Sequence, residues 1–337
     1  MNDVLICIFI FKNKYLHIIM PDNFPKQLYT VAFYNLENLF DIYDDEMTND
    51  NDFLPTSAKR WTHKRYQNKI RKLGYSVSRI GLENTNNPPT IIGLAEVENS
   101  FVLDDLLNST HLKDFPYDYI HYDSPDERGI DVALVFNKDV FTIENTETFP
   151  VHIYDEDGSI DYTRDILLVT GFINNERIHI LVNHWPSRHG GETTTEIKRI
   201  IAANNVTDII NGIKNEDSHA KIIVTGDFND DPYSNSIKKL VSDNNLYNPM
   251  DTLLSDTLGT TSHNFSWSLF DQIMISTNFF ETKADKLSLK STHIFNADFL
   301  RQFHGRYKDT PFRTYVGKKY KGGYSDHFPV YMVLKTN

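Results

Sequence analysis

The sequence predicts an α/β fold, because apolar runs with the character of β-strands alternate with segments of helical periodicity. The strand-like runs are nearly continuous in aliphatic and β-branched residues, which is typical of strands buried between two layers. They lie at Tyr29–Asn35, Thr90–Ala95, Asp118–Tyr122, Ile130–Phe136, Ile166–Ile173, Ile178–Asn183, Lys221–Thr225, Gln272–Ile275 and Pro329–Leu334. Helical periodicity is found at Lys64–Ile80, Phe101–Leu107, Glu192–Ile213 and Ser236–Asp243.

Length and composition indicate a globular chain with a large core. Of the 337 residues, 40% are hydrophobic and 24% are charged, and the sequence has no low-complexity segment. This composition excludes a disordered or fibrous protein. Helix and strand patterns continue to the carboxyl terminus without a linker. We therefore expect a single domain over residues 28–337, with residues 1–27 as a leader or disordered tail.

The N-terminal segment has the features of a leader more than those of an export signal. Val4–Phe11 is an apolar run that is too short to span a bilayer. It resembles the central part of a signal peptide, but Asp3 stands where a positive charge is expected and no cleavage site follows. Since Met20 offers a second start of translation, we expect residues 1–19 to be dispensable. We also expect the protein to be a cytoplasmic monomer without stable membrane insertion. The alternatives are export through this poor signal, or an ordinary packed segment.

Charge is distributed unevenly along the chain. The net charge is −12, which argues against a protein that coats nucleic acid with an extensive basic surface. Segment 301–321 nevertheless carries seven basic residues and one acid, and aromatic residues are interleaved over 301–324. Such a loop can bind an anionic substrate by stacking and by phosphate contact. The acidic, Asn-rich segment Asp41–Pro55 is expected to be an exposed loop.

Polar side chains follow several predicted strands at the point where each strand ends. Asn35 and Glu37 end the first strand and, two residues apart, lie on the same face of an extended chain. Glu96 ends the second strand, where a carboxylate is costly unless it is solvated, paired or bound to a metal. Mg²⁺ is bound by one or two carboxylates of this kind. Glu98 shares the face of Glu96, but it can equally begin the following helix, where a carboxylate meets the favourable end of the dipole.

A histidine ends a later strand within a loop rich in hydrogen-bond donors. His184 is followed by Arg188, and Gly190 and Gly191 then precede a long predicted helix. A histidine in such a place is more often structural than catalytic, but the N-terminus of a helix attracts anions. Arg188 is therefore a candidate contact for a substrate phosphate.

Two further clusters point to proton transfer. Asp227 and Asn229 follow an apolar strand, so that the acid can accept a proton from water while the amide holds the water or a phosphate. Asp326 and His327 stand side by side before the last strand, and Asp271 heads another strand. An acid that is hydrogen-bonded to one imidazole nitrogen fixes the tautomer and leaves the other nitrogen to face a phosphoryl oxygen.

In chain order, these clusters resemble the motif series of the endonuclease/exonuclease/phosphatase superfamily. The resemblance covers roughly residues 29–335, and a series of motifs in the right order is far more specific than a single Gly-Asp-x-Asn. The matching elements are Asn35 with Glu37, Glu96, His184, Asp227-Phe228-Asn229, Asp271 and Ser325-Asp326-His327. The resemblance implies an α/β four-layered sandwich, in which two packed mixed β-sheets are flanked by helices.

The resemblance also implies a role for each matching residue. Glu96 would be the principal ligand of a Mg²⁺ ion, with Mn²⁺ or Ca²⁺ as alternative ions. Glu37 and Asp326 would bind the same ion directly or through water. Asp227 would deprotonate the attacking water, which Asn229 orients, and His327, held by Asp271, would stabilise the transition state. The implied catalytic residues are Asn35, His184, Asp227, Asn229, Asp271 and His327.

Within the superfamily, the sequence resembles the deoxyribonuclease-like proteins and especially their uncharacterised bacterial branch, usually labelled endonuclease. In that comparison His184 matches a second active-site histidine, for which Asp123 is the candidate acidic partner. Arg164 matches an arginine that contacts phosphate, and Arg313 in the basic segment is a further candidate phosphate contact. The chain departs from the pattern at Glu98, where deoxyribonucleases have an arginine that reads the DNA groove. Glu98 is therefore assigned a supporting role.

These observations favour a metal-dependent phosphodiester hydrolase that acts on nucleic acid as an endonuclease. The main alternative keeps the chemistry and changes the substrate to a nucleotide, lipid, sugar or inositol phosphate, which the negative net charge favours. A non-catalytic phosphate-binding module is a second alternative. It would require an incomplete set of catalytic residue types, whereas every required type is present.

Overall fold

The structure, a computed structural model, describes residues 27–154 and 158–336, which form 18 β-strands and five α-helices. The strands are β1 (Leu28–Leu39), β2 (Ile91–Val97), β3 (Tyr117–His121), β4 (Asp131–Asn137), β5 (Phe141–Phe149), β6 (Ile153–Tyr154), β7 (Ile160–Asp161), β8 (Ile166–Ile173), β9 (Glu176–His184), β10 (Lys221–Asp227), β11 (Leu246–Tyr247), β12 (Thr261–His263), β13 (Ser266–Ser268), β14 (Asp271–Ser276), β15 (Leu287–Ile294), β16 (Tyr315–Val316), β17 (Lys319–Tyr320) and β18 (Val330–Thr336). The helices are α1 (His63–Val77), α2 (Leu82–Thr85), α3 (Ser100–Leu107), α4 (Glu192–Glu216) and α5 (Asn235–Asn244). Short 3₁₀ helices lie at Asn51–Phe53, Thr277–Phe280 and Asp298–Leu300.

The predicted leader, except for its last residue, lies outside the described residues. Over the two described ranges, the helices include none that combines the length and the apolar character needed to cross a bilayer.

The strands form two six-stranded mixed sheets of similar design. The first has the order β15-β18-β1-β2-β4-β3 and the second the order β11-β14-β10-β9-β8-β5. Each sheet has one parallel pair at its centre, β1 with β2 and β9 with β10, and antiparallel neighbours on both sides. The strands at these centres are covered on both faces, which explains their continuous apolar sequences.

Three hydrophobic clusters separate the sheets and helices into four layers. One cluster lies between the two sheets and includes Phe33, Leu134, Val182 and Ile223. The second packs the outer face of the first sheet against α1 and α3, and the third packs the outer face of the second sheet against α4 and α5. The predicted four-layered α/β sandwich is confirmed.

The ends of the central strands determine where polar side chains meet. The carboxyl ends of β1 and β2 lie together in one sheet, as do those of β9 and β10 in the other. Because β18 and β14 run antiparallel to β1 and β10, their amino ends reach the same positions. The polar clusters that follow or precede all six strands are thereby brought to one edge of the sandwich.

The structure differs from the predicted elements mainly at the outer strands. The sequence does not predict β5 or β15, which lie at the edges of their sheets and carry exposed polar residues, so that neither has a continuous apolar run. Helix α1 ends before the predicted Ile80, and Gly81, with φ 71°, precedes α2 instead. The predicted loop Asp41–Pro55 buries Phe53 in the core, and the basic segment contains the small hairpin β16–β17.

Candidate active site

Two glutamates lie at irregular ends of the central strands in the first sheet. The β1–β2 pairing shifts register after Asn35, and the β2–β4 pairing shifts after Ala95. In these bulges Glu37 and Glu96 adopt φ values of 52° and 62°. Such a conformation costs an L-residue about 1–3 kcal/mol and persists only where the surroundings enforce it. Bulges redirect side chains out of the regular alternation of a strand, and strained residues cluster at functional sites.

Glu37 is held in this conformation by the chain that precedes the last strand. Its two carboxylate oxygens accept hydrogen bonds from the backbone N–H groups of Thr314 (2.6 Å) and Tyr315 (3.2 Å). The buried ammonium of Lys69 lies 3.9 Å from Glu37 and donates to the Thr314 hydroxyl at 2.6 Å. Burial, followed by the negative charge of Asp326, raises the pKa of Glu37 to about 7. Glu37 therefore binds a proton more readily than an exposed glutamate does.

We call the carboxylates of Glu37, Glu96 and Asp326, the three acids that the sequence predicts as metal ligands, the carboxylate cluster. Glu37 and Asp326 line a cavity of about 180 Å³. Oε2 of Glu96 accepts from the Asn38 N–H at 2.6 Å, and Oδ2 of Asp326 accepts from Arg313 at 2.5 Å. A carboxylate offers about four acceptor positions, so these bonds orient each group and leave capacity for an ion. An all-oxygen donor set of this kind suits a hard cation such as Mg²⁺.

Asp227 is fixed by two amides at the end of β10. One of its oxygens accepts from the side-chain amide of Asn35 and the other from the backbone N–H of Asn229, both at 2.9 Å. Asn229 itself has φ 49°, and its side chain donates to the Trp185 carbonyl at 3.0 Å. Burial raises the pKa of Asp227 to about 6, although the nearby charge of His327 opposes the shift. The carboxylate is thus oriented and poised to bind a proton near neutral pH.

His327 lies among three carboxylates. Its Nδ1 is 2.7 Å from Asp271, while its Nε2 is 3.8 Å from Asp227 and 3.9 Å from Asp326. Burial alone would lower the pKa of His327, but the three negative charges outweigh it and hold the pKa well above its usual value. The backbone N–H of His327 donates to the Ser325 hydroxyl at 3.0 Å. The raised pKa favours the protonated form of His327, whose Nε2–H faces the site.

Ligand atoms of Asp227, Asp271 and His327 approach one another within 4.8 Å, a spacing that the carboxylate cluster does not have. The 2.7 Å separation of His327 and Asp271 is, however, that of a hydrogen bond that shares a proton. A protonated imidazole has no lone pair to give to a metal. The oxygen atoms of the carboxylate cluster therefore remain the predicted ligands of an ion.

A second histidine lies buried behind Asp227. Nε2 of His184 is 3.2 Å from the guanidinium of Arg164 and 3.8 Å from Asp227. Burial and the positive charge of Arg164 hold the pKa of His184 well below its usual value. The ring is therefore neutral, with Nε2 accepting from Arg164 and the proton on Nδ1. Arg164 in turn lies 3.4 Å from the carboxylate of Asp126.

The predicted pairing of Asp123 with His184 is wrong. Asp123 follows β3, its side chain is 89% exposed, and its nearest imidazole is that of His121 at 4.0 Å. Arg164 occupies the position next to His184 instead. The acid that completes this buried chain of contacts is Asp126, three residues further along.

Arg188, which is predicted to contact a substrate phosphate, binds several groups of the protein itself. Its guanidinium donates to the Asn229 carbonyl at 2.8 Å, to Asp230 at 3.0 Å and to Asp231 at 3.3 Å, and it lies 2.9 Å from Glu192. With its donors committed to these groups, Arg188 ties the loop after β10 to the start of α4.

Glu98 contacts the chain that follows β1, and Arg313 lies beside Asp326. Glu98 accepts from the backbone N–H of Asp41 at 2.5 Å, and burial raises its pKa to about 8. It does not cap the following helix, since Asn99 accepts from the Val102 N–H there. Arg313 is 42% exposed beside Asp326, where part of its guanidinium faces solvent.

Three neighbours of the site were not predicted from the sequence. Lys69 lies in the apolar stripe of α1, where a lysine is itself a signal of a buried ionic contact. Arg128 donates to the Asn38 side chain and lies 3.9 Å from Glu96, and Asp126 pairs with Arg164. The last two belong to a charged turn directly ahead of β4, at the same edge of the sheet. That placement is the signal that could have identified them.

The profile of the Endonuclease/Exonuclease/phosphatase family matches residues 30–336. Among solved structures, an endonuclease/exonuclease/phosphatase family protein from Bacteroides thetaiotaomicron is 18% identical with a TM-score of 0.57, covering 93% of this chain and 99% of that chain. A mannosyl-6-phosphatase from the same organism is 18% identical with a TM-score of 0.55, covering 91% and 99%. TDP2 of D. rerio, complexed with a single strand DNA product, is 12% identical with a TM-score of 0.53, covering 92% and 99%.

No curated protein sequence gives a significant match. At these identities the solved structures establish the fold, whereas the family profile spans nearly the whole chain. This chain belongs to the endonuclease/exonuclease/phosphatase family of phosphoester hydrolases.

Proposed function

We propose that the protein is a metal-dependent phosphodiester hydrolase that cleaves nucleic acid as an endonuclease. One arrangement carries the proposal. Asp227, oriented by Asn35 and Asn229, lies 3.8 Å from Nε2 of the His327 imidazolium, and the same nitrogen lies 3.9 Å from Asp326 of the carboxylate cluster. A base, a hydrogen-bond donor for an oxyanion and a place for a divalent ion are thereby adjacent, which is the set that phosphoester hydrolysis requires.

The chemical roles follow from these positions. Ionised Asp227 accepts a proton from a water molecule as the water oxygen forms a bond to phosphorus and the bond to the leaving oxygen breaks. Nε2–H of His327 donates to a non-bridging phosphoryl oxygen, where negative charge increases in the transition state. Asp271 keeps that imidazole protonated and in place. A divalent ion bound by Glu37, Glu96 and Asp326 would supply charge neutralisation and lower the pKa of the water or leaving group.

Two partly exposed arginines support binding of a phosphate at this place. Arg128 is 44% exposed beside Glu96, and Arg313 is 42% exposed beside Asp326. Each has one acidic neighbour and retains further N–H donors, of which a guanidinium has five. Arg164, by contrast, is buried with His184 behind Asp227, so we assign it to positioning of the neutral histidine.

An aromatic stack near the site supports nucleic acid as the substrate. Phe265, at the tip of the β12–β13 hairpin, stacks on Tyr307 with ring centroids 5.2 Å apart, and the Arg306 guanidinium lies 4.5 Å from the Phe265 ring. Both rings are about half exposed. Phe265 has φ 68°, which is a rare conformation for a bulky residue. Exposed rings beside an arginine are a surface on which bases stack.

The hairpin is anchored directly to the site. The Thr261 hydroxyl donates to the backbone carbonyl of Asp326 at 3.0 Å, four residues before Phe265. At about 3.3 Å per strand residue, the stack lies on the order of 13 Å from that anchor. A polynucleotide whose phosphate is bound at the carboxylate cluster can therefore place a neighbouring base on Phe265.

A phosphatase or phosphodiesterase acting on a sugar, nucleotide, lipid or inositol phosphate is the second candidate. The net charge of −12 favours it, because an acidic surface repels a long polyanion more than a single phosphate. The structural likeness to a mannosyl-6-phosphatase keeps this substrate class open. The two candidates share the catalytic residues and differ in what lies beyond the scissile phosphate.

A substrate panel tests the proposal. Purified protein is incubated with plasmid, single-stranded DNA, RNA, bis-p-nitrophenyl phosphate and inositol phosphates, each with Mg²⁺ and with EDTA. Nicking or cleavage of a nucleic acid that EDTA abolishes supports the endonuclease. Turnover of small phosphates without cleavage of any nucleic acid would replace it with the second candidate. A panel without any hydrolysis, by protein whose fold is intact, would contradict both.

A further inference from the structure

A cluster of metal-binding side chains lies at the ends of β3 and β4 and shares no residue with the catalytic groups. It contains His121, the last residue of β3, Asp123 just beyond it, and Asp131, the first residue of β4. One possible ligand atom from each of the three lies within 4.8 Å of those from the other two. We refer to these three residues as the β3–β4 cluster.

The imidazole of His121 lies between two carboxylates, with Nδ1 4.0 Å from Asp123 and Nε2 3.3 Å from Asp131. Its side chain is only 4% exposed, and its buried Nε2 has no hydrogen-bond partner among the described residues. Nε2 faces Oδ2 of Asp131 at 3.3 Å, but not in hydrogen-bond geometry. A buried polar atom without a partner lowers the free energy of unfolding by about 1–3 kcal/mol. We therefore expect an ion or a water molecule to bind it.

The geometry of the pair suits a tetrahedral metal ion. Bonds of about 2.0–2.1 Å to nitrogen and about 2.0–2.2 Å to oxygen, at tetrahedral angles, place neighbouring ligand atoms about 3.3–3.5 Å apart. The observed 3.3 Å between His121 and Asp131 falls in this range. An ordinary hydrogen bond between them would be shorter and aligned.

Neighbouring groups orient the cluster in the way that supports a metal ligand. The other oxygen of Asp131 accepts from the backbone N–H of Ser124 at 3.0 Å and from the Ser124 hydroxyl, which leaves Oδ2 directed at His121. Hydrogen bonds of this kind to a ligating carboxylate fix its direction. A separate cavity of about 10 Å³ lies between Asp131 and Asp165, and neither His121 nor Asp123 lines it.

We propose that His121, Asp123 and Asp131 form a second metal site, which takes a borderline divalent ion such as Zn²⁺. An imidazole ligand favours such ions, whereas Mg²⁺ prefers oxygen ligands and keeps much of its water. Asp123, which is 89% exposed, closes the site by moving its carboxylate toward the ion. The competing explanation is a simple buried contact between His121 and Asp131, which needs no ion.

The test measures metal binding itself, so that it does not depend on the proposed hydrolase activity. Full-length protein freed of metal by chelation is titrated with Zn²⁺ in excess Mg²⁺ by calorimetry, and with Co²⁺ by its visible absorption. The variants are His121→Asn and Asp123→Asn, with His304→Asn and Asp118→Asn as matched changes at exposed positions. All titrations are repeated in Glu96→Gln, which removes the principal proposed ligand of the catalytic ion.

We expect Zn²⁺ affinity to fall at least about tenfold in His121→Asn and Asp123→Asn, as is usual when a metal site is altered, and to stay unchanged in the two matched variants. The site should persist in Glu96→Gln. If His121→Asn does not fold, the exposed Asp123→Asn decides the question alone. Zn²⁺ affinities equal to wild type in the cluster variants, or Zn²⁺ binding that Glu96→Gln abolishes, would overturn the proposal.

Discussion

The side-chain amide of Asn35 donates a hydrogen bond of 2.9 Å to the carboxylate of Asp227. Asn35 belongs to β1 of the first sheet, and Asp227 ends β10 of the second, so this bond joins the two sheets at the edge where the catalytic residues meet. Both side chains are buried. The bond gives Asp227 a fixed direction, while burial keeps its proton affinity high enough for a general base.

Replacing the proposed base should abolish most of the activity without unfolding the protein. Asp227→Asn keeps the size of the side chain and its contact with Asn35 but cannot accept a proton from water. We expect the rate of phosphodiester hydrolysis to fall on the order of 10²–10⁴, as is typical when a general base is removed. The thermal unfolding midpoint should remain close to that of the wild type.

The pH dependence provides a check on the same residue. Since burial raises the pKa of Asp227 to about 6, the wild-type rate should fall as the pH decreases through that value, where the base becomes protonated. The residual rate of Asp227→Asn should lack this inflection. Asp118→Asn, an exposed change on β3, is the matched control. A wild-type rate that stays constant from pH 5 to 8, values about one to two units on either side of this pKa, would remove Asp227 from the role of base.

Asp271 is predicted to act through His327. Asp271→Asn removes one of the charges that raise the pKa of His327, so this pKa should move down and the imidazolium should become less populated. The hydrolysis rate should decrease by about 10²–10⁴, because the imidazole becomes more often neutral and Asp271 no longer fixes which nitrogen of the neutral ring carries the proton. Nuclear magnetic resonance titration of His327 measures the pKa separately from the rate. An unchanged pKa together with a near-normal rate would show that the pair has no catalytic role.

Two glycines should respond to alanine in opposite directions. A Cβ at Gly226, next to Asp227, would lie 2.3 Å from the Asn183 carbonyl oxygen, whereas a Cβ at Gly212 of α4 would have no heavy atom within 4 Å. Gly226→Ala should lower the free energy of unfolding by about 1–3 kcal/mol or more through overpacking. Gly212→Ala should raise it by about 1 kcal/mol through helix propensity.

Urea denaturation of the two glycine variants measures both changes. Equal stability of Gly226→Ala and wild type would show that β9 and β10 are packed less closely here than the structure indicates.

The basic segment, residues 301–321, should contribute to the binding of nucleic-acid polymers and not to the hydrolysis of small phosphate esters. Lys318, Lys319 and Lys321 are exposed, while Arg301, Arg306 and Arg313 already contact acids or rings. Neutralising the three lysines to Gln should flatten the dependence of nucleic-acid binding on salt, by about 0.7–0.9 in slope for each phosphate that a lysine no longer neutralises. Hydrolysis of bis-p-nitrophenyl phosphate, which has no flanking backbone, should be unaffected.

Neutralising Lys113, Lys238 and Lys283 to Gln changes the net charge equally outside the segment and provides the control. If both triple variants alter the salt dependence to the same extent, only net charge is involved and the loop does not bind the polymer. If the loop variant also loses activity on the small substrate, the segment belongs to the catalytic site itself.

The buried central strands of this fold could be predicted from the sequence, whereas the partly exposed strands at the sheet edges could not. Strands such as β8 and β10 are apolar throughout because both faces are covered, which makes them visible as continuous runs. β5 and β15 expose polar residues at the sheet edges, so their sequences resemble those of loops. Propensity and periodicity carry little information where a strand is half in solvent.

The same distinction holds at the candidate site. The residues that end central strands, such as Glu96 and Asp227, follow obvious apolar runs. Their partners do not: Lys69 comes from a helix and Arg128 from a turn, and only tertiary structure brings them to the carboxylates. The pairing predicted for Asp123 is wrong because sequence spacing does not show that Arg164 fills the space beside His184.

The most direct test of the account is the Mg²⁺ dependence of bis-p-nitrophenyl phosphate hydrolysis in wild type and Glu96→Gln. The simple substrate reports the catalytic centre without contributions from the basic segment or the aromatic stack. We predict saturable activation of the wild type by Mg²⁺ that EDTA removes, and a rate in Glu96→Gln that is at least about tenfold lower at the same Mg²⁺ concentration, with normal thermal stability. Hydrolysis that persists in EDTA, or an identical Mg²⁺ midpoint and rate in Glu96→Gln, would contradict a metal-dependent centre built on the carboxylate cluster.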